Sequence, residues 1–373
     1  MARAPAVQET EAVPESDRLE DTPHPRATLS LFGHSQAEQM LAEAFRSGRM
    51  HHGWLLAGPG GIGKATLAYR LARHVLAMPE ERDAFGQSLD IAPETRAARQ
   101  VLALSHPGLL VIRRPWDHKA KRFTASIPVD EVRRVRSFVT HTAGDGAYRV
   151  VIVDSADDLN PNAANALLKS LEEPPLRTLF LLVTSSPGRL LPTIRSRCRM
   201  LDLAPLREAD LKRAAIKAME NAGTDPPAPS DWQRLIALSD GSVRRLLLLW
   251  TGKGLELQQR MENAMAALPG IDWGVVHALG DELGSTAADA RFEMFFELLL
   301  QHIAGMVRTN VANSAGGGGA QPGRPAVAEA RLASWAELWE TVVREKSDTV
   351  ALNLDRKSLI LDTFRRIETV ARG

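Results

Sequence analysis

Between Trp54 and Ala72 an apolar run, WLLA, gives way to GPGGIGK and then to a helical pattern, TLAYRLA. That order confines the surrounding chain to few folds, because a loop of this kind works only when a buried strand delivers it and a helix begins directly behind it. Glycines at Gly58, Gly60, Gly61 and Gly63 let successive amides turn inward toward phosphate oxygens. The helix start adds partial positive charge, and Lys64 reaches the terminal phosphates. The expectation is a nucleotide-phosphate cradle held by an α/β sheet.

Three further apolar runs follow: LLVI (109–112), VVIV (150–153) and LFLLV (179–183). They lack polar alternation, as strands covered on both faces do, and helical patterns separate them. We therefore expect a parallel sheet with helices on both faces over residues 27–204. Beyond Pro205 strand signals vanish. LREADLKRAAIKAMENAG reads as a helix stopped by Gly223, and Asp231 is the expected cap of a further pair of helices separated near Asp240 and Gly241. These make a small helical domain, 205–254. Residues 255–373 read as all-helical, interrupted by SAGGGGAQPGRP (314–325), a flexible loop on composition.

Residues 1–26 hold Pro5, Pro14, Pro23 and Pro25 among scattered acids, without the basic start and apolar stretch of a secretory signal. They are expected to be a disordered tail. The most apolar stretch, VRRLLLLW (243–250), is too short and too basic to cross a bilayer, so the chain is read as soluble. With 46 basic against 45 acidic residues, overall charge gives no grip on nucleic acid and leaves only local patches for that purpose. One cysteine, Cys198, excludes an internal disulfide and a cysteine zinc site, which suits a reducing cytoplasm.

The loop is complete but its partners are not. The position after Lys64 normally carries a hydroxyl that holds magnesium, and here it is Ala65. Thr66 is turned about 100° away on the helix and is expected to miss the phosphates. Asp154, closing RVVIVD, is placed to hold magnesium directly or through water, but Ser155 stands where a glutamate usually polarises the attacking water. Asp157 and Asp158 are expected to open the next helix. ATP or ADP binding is thus possible, with magnesium poorly held and turnover very slow.

The stretch NPNAANALLKSLEEPPLRTLFLLVTSSPGRLLPTIRSRCRMLDLAPL resembles the clamp-loader branch of the AAA+ ATPases, and the similarity runs over roughly Leu31 to Trp250. The resemblance implies an α/β nucleotide-type domain, a helical lid and an oligomerising helical collar. It implies gamma/tau and delta neighbours in a five-membered ring of the DNA polymerase III holoenzyme, which opens the sliding clamp and loads it on primed DNA without sequence preference. Ser196-Arg197-Cys198 is similar to the family signature whose arginine enters the neighbouring subunit's ATP site. That makes Arg197 an arginine finger acting in trans. Thr184 and Ser185 correspond to the polar first sensor, and GSVRRLL to the second, so that Arg244 or Arg245 would contact nucleotide. Many relatives carry a four-cysteine zinc module where PEERDAFGQSLDIAPETRAARQVLALSHPG has no cysteine. An autonomous ATPase of the gamma/tau type is the alternative, opposed by Ala65 and Ser155. Arg133, Arg134 and Arg136 fall on more than one face of their helix and do not by themselves define a DNA surface.

Overall fold

The structure, a computed structural model, describes residues 13–19, 21–83, 88–140, 147–285, 288–315 and 332–373. Packing divides the chain into two compact units. One comprises residues up to Ala228 together with Ser239–Arg245, and the other Pro229–Leu238 together with Leu246–Gly373. The boundaries expected near 204 and 254 do not coincide with this division. Most of the flexible loop expected at 314–325 lies outside the described residues.

In the first unit, strands β1 (Gly53–Ala57), β2 (Leu109–Ile112), β5 (Arg149–Asp154), β6 (Thr178–Thr184) and β7 (Arg199–Asp202) form one sheet in the order β2-β5-β6-β1-β7, every pair parallel. Between β2 and β5 the chain also makes a separate two-stranded antiparallel hairpin, β3 (Trp116–Asp117) with β4 (Arg122–Phe123). The helices are α1 (Ser35–Arg46), α2 (Lys64–Leu76), α3 (Arg96–Leu102), α4 (Val129–Thr140), α5 (Pro161–Glu172), α6 (Pro192–Arg195) and α7 (Glu208–Ala222).

Successive strand residues face opposite sides, so each apolar run feeds two cores. Trp54, Leu56, Val150, Ile152, Leu179 and Leu181 pack on Leu41, Leu67, Leu71 and Val101 from α1, α2 and α3. Leu55, Val151, Val153, Phe180 and Leu182 pack on Val132, Val135, Leu167, Leu171 and Ile194 from α4, α5 and α6. Local chemistry sets the helix ends. The Asn160 side chain caps α5 by accepting from the Ala163 amide at 2.8 Å with Pro161 as first residue, and Gly223, at φ 66°, stops α7 as expected.

The tail expected over residues 1–26 is a correction from Val13 onward. Glu15 and Asp17 both bond Arg113, at 2.6 and 2.8 Å, although nearly a hundred residues separate them. His24 Nε2 lies 2.9 Å from Asp17, Arg26 bonds Glu15 at 2.8 Å, and the His24 ring meets Tyr69 of α2 edge-on. Burial alone would raise the Asp17 carboxyl, but the His24 hydrogen bond and charge, with the Arg113 charge, hold it below its ordinary range. Ionic partners far away in sequence order a segment that looks polar and proline-broken when read locally.

The second unit is helical: α8 (Pro229–Ser239), most of α9 (Val243–Thr251), α10 (Gly254–Met265), α11 (Trp273–Leu283), α12 (Asp289–Ala315), α13 (Leu332–Leu352) and α14 (Arg356–Arg372). α8 begins at Pro229, with Ala228 in the capping position. Asp231 therefore lies in the first turn and is not the cap, a shift of three residues due to the proline's preset φ. Phe292, Phe295, Phe296 and Phe364 are fully buried against one another with ring separations of 4.9 to 6.2 Å. No helix among the described residues is long and apolar enough to cross a membrane.

Candidate functional site

β1 ends at Ala57 and the glycine loop begins at once. Gly58, Gly61 and Gly63 have φ of 141°, 76° and 106°, values that side-chain-bearing residues rarely adopt, and α2 starts at Lys64. The loop's carbonyls are engaged: Ser242 Oγ donates to Gly60 at 2.8 Å, and the Val243 amide to Gly61 at 3.0 Å. The amides of Gly60, Gly61 and Gly63 meet no acceptor among the described residues. This is a cradle suited to phosphate oxygens.

Lys64 is buried and turned back onto its own loop, donating to the carbonyls of Gly58, at 2.6 Å, and Pro59, and to Ser185 Oγ at 3.3 Å. Burial pushes its ammonium down to about 8 despite the attraction of Asp154 and Asp157. Asp154, the last residue of β5, is pushed up to about 7, first by burial and then by the nearby Asp17 carboxylate, against the pull of Lys64, Arg113 and Arg244. Burial thus draws the Asp154 carboxyl toward its neutral form, and Ala65 offers no side-chain oxygen to a metal.

The sign of this shift gives a test. With a folded pKa raised from 3.8 to about 7, ionising Asp154 costs stability that is untouched below about pH 4, falls away as pH rises toward 7, and stays lost above it. Asp154→Asn removes that penalty, less the attraction it gave Lys64. The expected result in thermal unfolding is stabilisation by about 2 kcal/mol near pH 8, and clearly less near pH 5.

Asp157 is occupied as well. It accepts from Thr184 Oγ1, from the Ser185 and Ser186 amides at 2.6 and 3.3 Å, and from Ser155 Oγ at 3.0 Å. Asp157 and Asp158 do not open the next helix. They lie in a short 3-10 turn before it, where Asp157 binds the end of β6 and Asp158 pairs with Arg114 at 3.1 Å. Thr184 is thus a strand-end donor to Asp157, and with Ser155 it helps to occupy that carboxylate.

Of the two arginines expected to act as second sensor, Arg244 is the one beside the loop: its amide points at the Gly61 carbonyl at 3.4 Å, and a side chain at Gly61 would overlap its Cβ. Arg245 is turned to Asp240 at 3.2 Å. For Thr66 the structure gives no partner among the described residues.

Arg197 lies elsewhere. β7 is parallel to β1 with Arg199 opposite Trp54, and the Arg197 carbonyl and the Cys198 sulfur lie beside Gly53 at the start of β1. The glycine loop is at that strand's other end, about 17 Å away at 3.3 Å per residue. Arg197 pairs with Glu172 at 2.8 Å and donates to the Thr193 carbonyl at 3.1 Å, with a third or more of both ion-pair side chains exposed. Arg199 stacks over Trp54 at 5.1 Å, so the three arginines of RSRCR do not form one solvated cluster. Cys198 is half-buried, and burial pushes its thiol up to about 11.

Comparison with known proteins adds the following. A family model described as "DNA polymerase III, delta subunit" matches residues 33–207. The chain is 40% identical to DNA polymerase III subunit delta' of Pseudomonas aeruginosa over 51% of its length and 53% of that protein's. It is 31% identical to subunit delta' of Escherichia coli over 70% of its length and 72% of that protein's. It thus spans about half of the first relative and nearly three quarters of the second. Among solved structures, a DNA polymerase III gamma subunit-related protein from Thermotoga maritima covers 89% of the chain and 99% of its own, at 16% identity and a TM-score of 0.45, too low to carry the fold by itself.

Proposed function

The chain belongs to the family of DNA polymerase III delta' subunits, and on that premise we propose that it is a clamp-loader subunit that hydrolyses little or no ATP itself and supplies Arg197 to the ATP site of a neighbour. One observation carries this reading: Arg197 stands at the opposite end of β1 from the chain's own Lys64, beyond side-chain reach. A guanidinium there, always charged and planar, serves a phosphoryl group only if another subunit brings it. The exposed pair with Glu172 is worth at most about 1 kcal/mol, so an incoming triphosphate displaces it readily.

The state of the chain's own pocket supports the other half. Ala65 offers no metal ligand, Asp154 is drawn toward neutrality, and Asp157 is saturated by four donors. The phosphate cradle persists, so ATP or ADP fits the residues present through Gly60, Gly61, Gly63, Lys64 and Arg244, while magnesium does not. On this reading the neighbours are gamma/tau and delta subunits in a ring that places the sliding clamp on primed DNA, in the cytoplasm. The alternative, an autonomous gamma/tau-type motor, is opposed by Ala65 and Ser155, which replace the usual metal-holding hydroxyl and water-polarising glutamate.

Steady-state ATPase measurement on the purified chain tests this. The expected rate lies at or near background, and Lys64→Ala leaves turnover of the assembled ring close to unchanged. Robust magnesium-dependent turnover by the chain alone would overturn the proposal.

A further inference from the structure

The β3–β4 hairpin has no part in the site above. Its base is fixed: Trp116 and Phe123 meet edge-to-face at 5.0 Å, the Thr124 amide bonds the Pro115 carbonyl at 3.0 Å, and Arg114 is held by Asp158 and lies over the Phe123 ring. Its turn is fixed too, because Asp117 Oδ1 accepts the amides of Lys119 at 2.8 Å and Ala120 at 3.1 Å. Lys121 takes a positive φ of 49° to close it.

His118, Lys119, Lys121 and Arg122 are all exposed at this tip. With Asp117 as the only acid in residues 117–122, three cations less one acid leave a formal +2 there. Nearby cations have been neutralised: Arg113 by Glu15 and Asp17, Arg114 by Asp158, Arg133 by Asp130 and Arg134 by Glu131. Lys119, Lys121 and Arg122 have no ion pair among the described residues. Arg122 stands opposite Asp117 across the hairpin and attracts it, yet in a chain whose charges otherwise nearly cancel, three exposed cations within four residues on a braced turn form a local cationic patch.

We propose that this tip binds the phosphate backbone of duplex DNA without reading sequence. A duplex carries one negative charge per about 1.7 Å of axis, so a narrow tip bearing three cations meets several phosphates at once. An acidic protein is the poorer fit. Protein partners are held by apolar or aromatic anchors in a desolvated centre, and the two aromatic residues of the hairpin are spent on each other at its base. The parallel sheet directs β2 into the hairpin at the same rim from which β1 delivers the glycine loop, the rim opposite Arg197. The surface therefore does not compete with the contact assigned to Arg197. The choice of DNA as the nucleic acid rests on the clamp-loader reading, but the surface itself rests on its own charges.

The test is fluorescence anisotropy of the full chain with a fluorescein-labelled duplex of random sequence at rising salt, for the parent and for a Lys119→Ala, Lys121→Ala, Arg122→Ala variant. The variant is expected to bind at least about tenfold more weakly at low salt and to lose about 2.7 from the slope of log K against log salt. An Arg133→Ala, Arg134→Ala variant, whose guanidinium groups are already paired on α4, is expected to retain the parent's slope. Single Lys119→Glu, a milder change to the fold, is expected to weaken binding in the same direction. An unchanged slope in the triple variant, or a parent chain that fails to bind duplex at low salt, overturns the proposal. Displacement of the duplex by polyglutamate at equal charge concentration overturns the assignment to nucleic acid. Each readout is independent of ring ATPase, so failure here and failure of the Arg197 role are distinguishable.

Discussion

Arg197→Ala in the assembled hetero-oligomer is expected to slow ATP hydrolysis at the neighbouring site it faces by about 10³-fold or more, the scale on which a trans arginine acts in phosphoryl transfer. Ring formation is expected to survive. Among the described residues the ion pair lost is that with Glu172, partly exposed on both sides, and such pairs hold by at most about 1 kcal/mol. Arg197→Lys is expected to recover little, because an ammonium cannot present the planar fork that spreads over phosphoryl oxygens. Steady-state hydrolysis by reconstituted rings, with size-exclusion chromatography to show that they are intact, measures both. A mutant ring of normal size and normal turnover would remove the role assigned to this residue.

Gly58→Ala is expected to be the most damaging single methyl in the α/β unit. Gly58 has φ of 141°, and an added Cβ would land well inside contact distance of the Leu203 carbonyl oxygen. That oxygen belongs to backbone, and the Leu203 amide is itself tied to Ala57 at 2.8 Å, so neither side can yield without parting the exits of β1 and β7. Strain and overpacking of this kind cost about 3 kcal/mol or more, which lowers the melting temperature of a unit this size by roughly 10 °C. Gly48 is the control: its φ of 66° is also positive, but nothing lies within 4 Å of a Cβ there, and Gly48→Ala is expected to cost only about 1 kcal/mol. Thermal unfolding of the two variants side by side reads the difference.

The sheet was legible where its strands are covered on both faces. WLLA, LLVI, VVIV and LFLLV announce themselves as apolar runs, and each became a strand within a residue or two. β7 is an edge strand that buries only Leu201 fully, so RMLD carries too little apolar signal to be read. The β3–β4 hairpin escaped for a similar reason, being two residues per strand with only one apolar residue in each. The segment from Val13 to Arg26 was misread outright, because an ionic network looks the same as a solvated tail until its partner, Arg113, is brought alongside.

For the site, the division follows the range of the forces involved. Whatever depends on a few consecutive residues was already written in the chain: the loop from Gly58 to Lys64, the missing hydroxyl at Ala65, the missing base at Ser155. Backbone torsion and side-chain type settle those, and both are local. Three things waited for the fold. Asp157 is saturated by donors up to 29 residues away, Asp154 is neutralised by surroundings gathered from distant segments, and Arg197 is held a full strand's length from its own loop by the parallel pairing of β7 with β1. Burial, electrostatics and strand register act between groups that only the folded chain makes neighbours.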